Sequence, residues 1–166
     1  MGALSTIRNI YYRGSLEYCN YTCSYCPFGR KSASADTDGD REALHRFISR
    51  IGQWKHGALR ILIIPYGEAM IHRYYREGII PLAAMSHVAG VSCQTNLSFS
   101  VSRFLNEVEE ARADVTKIKF WASYHPEMAD VTEFASKIEK LHAAGIEVCA
   151  GVVGDPSAKE QIRRLR

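Results

Sequence analysis

The stretch VTKIKFWASYHPEMADVTEFASKIEKLHAAGIEVCAGV, running from Val115 to Val152, contains one full structural repeat of this chain. Val115 to Ser123 is a β-like run, with Ile118, Phe120 and Ala122 at every second position. Asp130 and Glu133 then form a capping box, in which two side chains satisfy the free amides that open a helix. Val131, Phe134, Ile138 and Leu141 fall on one helical face, and Gly145 ends the turn. Ile146 to Val152 is the next β-like run. Working outward, the same alternation recurs: Ile7 to Tyr12, Leu59 to Ile64 and Val88 to Gln94 are strand-like, and helical patterns separate them. Leu44, Phe47, Ile48 and Ile51 mark the first helix; Val101, Phe104, Leu105 and Val108 mark the third. A fifth opens with Ser157 and Glu160, and Gly78 and Pro81 are expected to split the second.

Alternating βα units imply an α/β fold with parallel strands and right-handed crossovers, hence an open doubly wound sheet or a barrel. In both, ligands gather beyond the carboxyl ends of the strands. Every unusual motif here follows a strand. A cysteine cluster follows the first, Pro65-Tyr66-Gly67-Glu68 the second, Gln94-Thr95-Asn96 the third, Ser123-Tyr124-His125-Pro126 the fourth and Gly151 to Asp155 the fifth.

With 166 residues, 46% of them hydrophobic, one domain is expected across 1–166. A net charge of +3 is too mild for a nucleic-acid or membrane-surface footprint, so neither partner is expected. Met1 does not begin a basic segment leading into an apolar one, and Leu59 to Pro65 is far too short to span a bilayer, so a cytoplasmic protein is expected. Five cysteines, three of them within eight residues, do not make a disulfide framework. Cys93 and Cys149 stand alone in apolar runs and are expected to be buried.

Cys19-x3-Cys23-x2-Cys26 brings three thiols into one loop with no fourth cysteine nearby, which leaves a coordination position open. A closed shell only supports a fold; an open position lets a ligand reach the metal. One alternative is a zinc knuckle with a histidine as fourth ligand. Asp36, Asp38 and Asp40 lack the glycine and glutamate placement of a calcium loop and are read as capping the first helix.

The C-x3-C-x2-C spacing after the first strand of a βα series, with Tyr25 before the last cysteine, resembles the radical S-adenosylmethionine (SAM) superfamily. The resemblance implies a partial (β/α) barrel of about five units with the cluster loop after its first strand. It implies a [4Fe-4S] cluster on Cys19, Cys23 and Cys26, with SAM chelating the exposed iron. Reductive cleavage of SAM would give a 5′-deoxyadenosyl radical that abstracts hydrogen from a small or medium-sized substrate, with flavodoxin or ferredoxin as electron donor. Tyr25 and Phe28 would lie near the adenine. Tyr66-Gly67-Glu68-Ala69 looks like the family's Gly-Gly-Glu-Pro segment, in which Glu68 meets the methionine ammonium; Tyr66 and Ala69 depart from it. Ser123 is the positional candidate for ribose or carboxylate, and Asn96 is placed with the cofactor-binding residues. His125 is the candidate acid or base, or else a turn residue before Pro126. The remaining histidines are expected to be structural or on the surface. The chain looks shorter than the family's usual core, so an incomplete C-terminus is expected, or a partner subunit over the open sheet edge. A module that binds iron–sulfur or zinc without catalysis, or binds SAM without turnover, is the alternative.

Overall fold

The computed structural model describes residues 7–28, 37–154 and 156–164. Five strands, β1 (Arg8–Tyr12), β2 (Leu59–Ile63), β3 (Val88–Thr95), β4 (Ile118–Tyr124) and β5 (Glu147–Val152), form one all-parallel sheet. They alternate with α1 (Thr37–Gly52), α2 (Arg73–Ala84), α3 (Val101–Glu110), α4 (Val131–Ala143) and α5 (Lys159–Arg164). Strand order is β1-β2-β3-β4-β5. A doubly wound sheet would reverse direction at a switch point, whereas unbroken sequential order is that of a barrel wall. The architecture is therefore α/β in the manner of a partial β/α barrel.

Sequential right-handed crossovers put the helices on one side of the sheet, and residue burial follows. Leu59, Ile61 and Ile63 of β2 are buried while Arg60 between them is exposed. Phe120 and Ala122 of β4 are buried, and Trp121 is 53% exposed. The buried set packs against the helices, with Phe99, Phe104 and Phe120 in mutual ring contact at centroid distances of 5.5 to 5.8 Å. Each such side chain contributes about 1.5–3 kcal/mol on removal from water. The opposite face carries Tyr11, Arg60, Ser92, Lys119, Trp121 and Cys149 around a hollow of about 310 Å³.

Several sequence expectations change. α2 is one helix, with Pro81 inside it. Gly78 lies against α1, where a Cβ would stand 2.9 Å from Ile48 Cδ1 and 3.2 Å from Leu44 Cδ2, so the glycine is a helix-crossing point. Val115–Lys117 is a separate 3-10 turn capped by Asp114, and β4 starts only at Ile118. Cys149 is exposed, because the pleat turns it to the uncovered face beside Trp121; Cys93 is buried as expected. Asp38 and Asp40 both lie in the first turn of α1, as expected of helix-capping acids, but Asp40 is buried and turned to the first loop. Asp38 stays outside and pairs with Arg41 at 3.0 Å. Asp36 lies outside the described residues, as do Asp155, Leu165 and Arg166. α5 begins at Lys159, after a 3-10 turn at Pro156–Ala158. No helix among the described residues is long and apolar enough to cross a membrane.

Candidate functional site

The chain leaves β1 and runs from Arg13 to Phe28 across the carboxyl ends of the strands, where the loops after β2, β3 and β4 fasten it. Leu16, 1% exposed, donates its N–H to Asp40 Oδ1 at 2.9 Å, and Asp40 also accepts from Tyr74 Oη at 2.9 Å and Ser15 Oγ at 3.3 Å. Leu16 O accepts from Gly67 N at 3.1 Å, and Tyr18 O accepts from Glu68 N at 2.9 Å. This main-chain approach requires a glycine: a Cβ on Gly67 would lie 1.9 Å from Tyr18 O. Beyond that clamp, a turn closed by Cys26 N donating to Cys23 O at 3.1 Å brings the second and third thiols together.

Cys19, Cys23 and Cys26 are unbridged and line one cavity of about 180 Å³ with Glu68, Asn96, Ser123 and His125. The sequence-predicted Gly67 and Phe28 line it too. Burial pushes the thiols of Cys19 and Cys23 up, and the nearby negative charge, from Glu68 and the other cysteines for Cys19 and from Cys26 and Glu127 for Cys23, adds to it. A cation reverses that balance, because coordination holds a thiol deprotonated. Among the described residues no three Cys, His, Asp or Glu side chains already stand at metal-holding spacing. The donor set nevertheless fits an iron–sulfur group: three soft sulfurs share one cavity, Cys93 sits in the core, and Cys149 faces the other hollow.

Glu68 is not a solvated loop carboxylate. It is 3% exposed and ties two loops together. Oε1 accepts from Met70 N at 2.9 Å and Thr95 Oγ1 at 2.6 Å; Oε2 accepts from Asn96 N at 2.6 Å. Burial pushes its carboxyl from about 4.5 up to about 7, against these three donors, which favour the anion. A carboxylate offers about four acceptor positions, so with these three filled one remains on Oε2. In the third loop, Asn96 Nδ2 points to Cys19 Sγ at 3.8 Å and Asn20 Oδ1 at 3.2 Å. Leu97 takes a left-handed φ of +56°, a strained value for a bulky residue, and Lys137 Nζ holds its carbonyl at 2.9 Å.

The fourth loop grips the cysteines from the other side. His125 Nδ1 lies 3.4 Å from Cys23 Sγ and 2.9 Å from Tyr25 Oη. Glu127 accepts from both Ser24 N and Ser24 Oγ, at 2.7 and 2.5 Å. Burial lowers the His125 pKa, opposed by the Glu127 charge, and burial raises that of Tyr25, so both are neutral near pH 7. Tyr25 turns its phenol to His125 and is not part of the cavity wall, whereas Phe28 packs on Tyr66 at 4.8 Å and Arg13 lies 4.7 Å above the Tyr66 ring.

The structure thus gathers Cys19, Cys23, Cys26, Phe28, Gly67, Glu68, Asn96, Ser123 and His125 around one cavity, with Tyr25 just behind it. Sequence reasoning did not single out Asp40 as an anchor, Thr95 as the Glu68 donor, or Glu127 as the Ser24 acceptor. Two of them had a signal: Thr95 lies in the strand-end motif Gln94-Thr95-Asn96, and Glu127 lies two residues beyond His125 in another such loop. No protein-family model, curated protein or solved structure matches this chain.

Proposed function

We propose that the chain is a radical SAM enzyme, in which Cys19, Cys23 and Cys26 hold a [4Fe-4S] cluster and SAM binds beside it. The observation that supports this reading is the shared cavity: three thiols, and no fourth cysteine, face the polar ends of β2, β3 and β4. When bound, the reduced cluster and SAM supply one-electron cleavage of the sulfonium and a 5′-deoxyadenosyl radical for hydrogen abstraction. The chain's own residues bind and orient. The remaining acceptor position of Glu68 suits an ammonium, and a charge-assisted hydrogen bond in so buried a place is stronger than a neutral one. Asn96 and Ser123 offer polar groups for ribose or carboxylate, and the Phe28–Tyr66 pair offers an apolar wall for a base. The hollow on the open sheet face gives room for a small or medium-sized substrate. The electron comes from a flavodoxin or ferredoxin.

Anaerobic reconstitution with iron and sulfide, followed by dithionite and SAM, tests this reading. A reduced cluster whose EPR signal changes with SAM, together with 5′-deoxyadenosine in the products, is expected. An intact cluster without SAM response rejects it. The Cys23–His125 contact at 3.4 Å supports a second reading, a zinc site of three cysteines and one histidine, since that spacing suits neighbouring ligands of a tetrahedral ion. Metal analysis of oxygen-free protein separates the two: iron with sulfide, or zinc without it.

A further inference from the structure

The His125 ring is held on several sides at once. It stacks on Tyr25 with an interplanar angle of 10° and meets Tyr21 edge-on at 82°. Its carbonyl accepts from Met128 N at 2.9 Å and Ala129 N at 3.0 Å, while Glu127 locks the same loop onto Ser24. Nδ1 is the ring nitrogen turned toward the cysteine loop, within reach of both Cys23 Sγ and Tyr25 Oη.

What Nδ1 does depends on the state of the sulfur. Facing a protonated thiol it can accept. A metal-bound thiolate has no hydrogen to give, so Nδ1 can then meet it only as a donor, unless it binds the metal or accepts from Tyr25 Oη instead. The 2.9 Å contact with Tyr25 Oη has the length of a formed hydrogen bond, and a ligating nitrogen would have to abandon it. With its hydrogen on Nδ1, the ring has both the phenol oxygen and the sulfur within reach.

We infer that His125 is a positioning residue for the cluster: its Nδ1–H donates to the Cys23 thiolate and raises the reduction potential of the cluster. The inference rests on the iron–sulfur reading above. Adding an electron increases the negative charge on the cluster and its thiolates, so a fixed donor stabilises the reduced state more than the oxidised one. The contact thereby eases reduction by an external donor and holds the first and fourth loops in one register.

A redox titration of reconstituted protein, followed by EPR, tests it without reference to turnover. His125→Leu should keep iron and sulfide but lower the equilibrium constant for one-electron reduction about tenfold, a potential ~59 mV more negative. His125→Asn, whose amide nitrogen can stand where Nδ1 stands, should restore most of the shift. Pulsed EPR of the reduced wild-type cluster, comparing H2O and D2O, covers the case in which the variants do not fold. An exchangeable proton coupled to the cluster is expected, with no directly coordinated protein nitrogen at Cys23. An unchanged potential in His125→Leu, or a coordinated His125 nitrogen, overturns the inference while leaving an iron–sulfur site in place. Wild-type protein that takes up zinc but no iron and sulfide overturns the cluster reading as well.

Discussion

Asp40 shows how a single side chain can hold a loop whose chemistry lies elsewhere. It is fully buried, and three donors converge on it from the first loop and from α2. Gly14 makes room, since a Cβ there would lie 2.4 Å from Oδ1, and burial, with Asp40's charge adding to it, pushes the Tyr12 phenol up to about 12. Asp40→Ala leaves the Leu16 N–H and the Tyr74 hydroxyl buried without an acceptor, which costs about 1–3 kcal/mol each. Urea denaturation should therefore show a loss of roughly 3 kcal/mol, with a smaller loss for Asp40→Asn, which keeps one acceptor oxygen. Glu68 makes a prediction in pH. Its carboxyl holds a proton more tightly folded than unfolded, so below about pH 4.5 the two states are equally protonated and nothing is lost. As pH rises toward 7 the unfolded state ionises first, and stability declines by about 3 kcal/mol, complete above the folded value. Urea midpoints between pH 4.5 and 8 should fall for the wild type and stay flatter for Glu68→Gln. The importance of Glu68 was legible in its place at a strand end. The inward turn of Asp40 was not, because an acid in a helix's first turn looks the same in sequence whether it caps the helix or reaches into the core.

Among the elements, the loops after the strands are where local chemistry and sheet geometry meet. The loop after β2 is useful because it is narrow: Gly67 and Glu68 give two successive N–H groups to Leu16 O and Tyr18 O. Gly67→Ala forces the two backbones apart. The expected cost is about 1–3 kcal/mol, as for overpacking elsewhere, with the circular-dichroism spectrum retained and iron uptake on reconstitution reduced. Iron uptake equal to wild type would show that the clamp is not what shapes the cysteine loop. Most strands, helices and strand-end loops could be read from periodicity and caps alone, as the Asp130 cap at α4 shows: Oδ1 accepts from Thr132 N and Glu133 N, both at 2.9 Å, while Glu133 pairs with Lys137. Pro81 and Gly78 misled because their local rule, helix breaking, gives way to packing. The missing side chain of Gly78 lets α1 and α2 approach, and α2 runs unbroken through this crossing.

At the scale of the whole molecule, helices cover one face of the sheet and leave the other accessible. Trp54 and Trp121 are the two tryptophans, so a Trp54→Phe variant reports on Trp121 alone. Its emission should resemble that of indole in water and be readily quenched by acrylamide, in keeping with 53% exposure. Blue-shifted, quench-resistant emission would mean that this face is covered in solution. The choice between a barrel wall and a doubly wound sheet was not legible in the sequence, since alternating βα units serve both. Strand order decides it, and strand order is a property of how the units pack. That order also sets a timetable for making the site. Cys23 and His125 are 102 residues apart, and the loops that grip the cysteines are synthesised one unit at a time. At ribosomal rates of about 5–20 residues per second, the three thiols emerge roughly 5–20 s before the last of their partners exists. Nascent chains therefore pass through an interval with exposed, ungathered cysteines. On the proposed iron–sulfur reading, metal loading would follow synthesis of the fourth unit, and oxidants met earlier would strike thiols that the finished protein shelters.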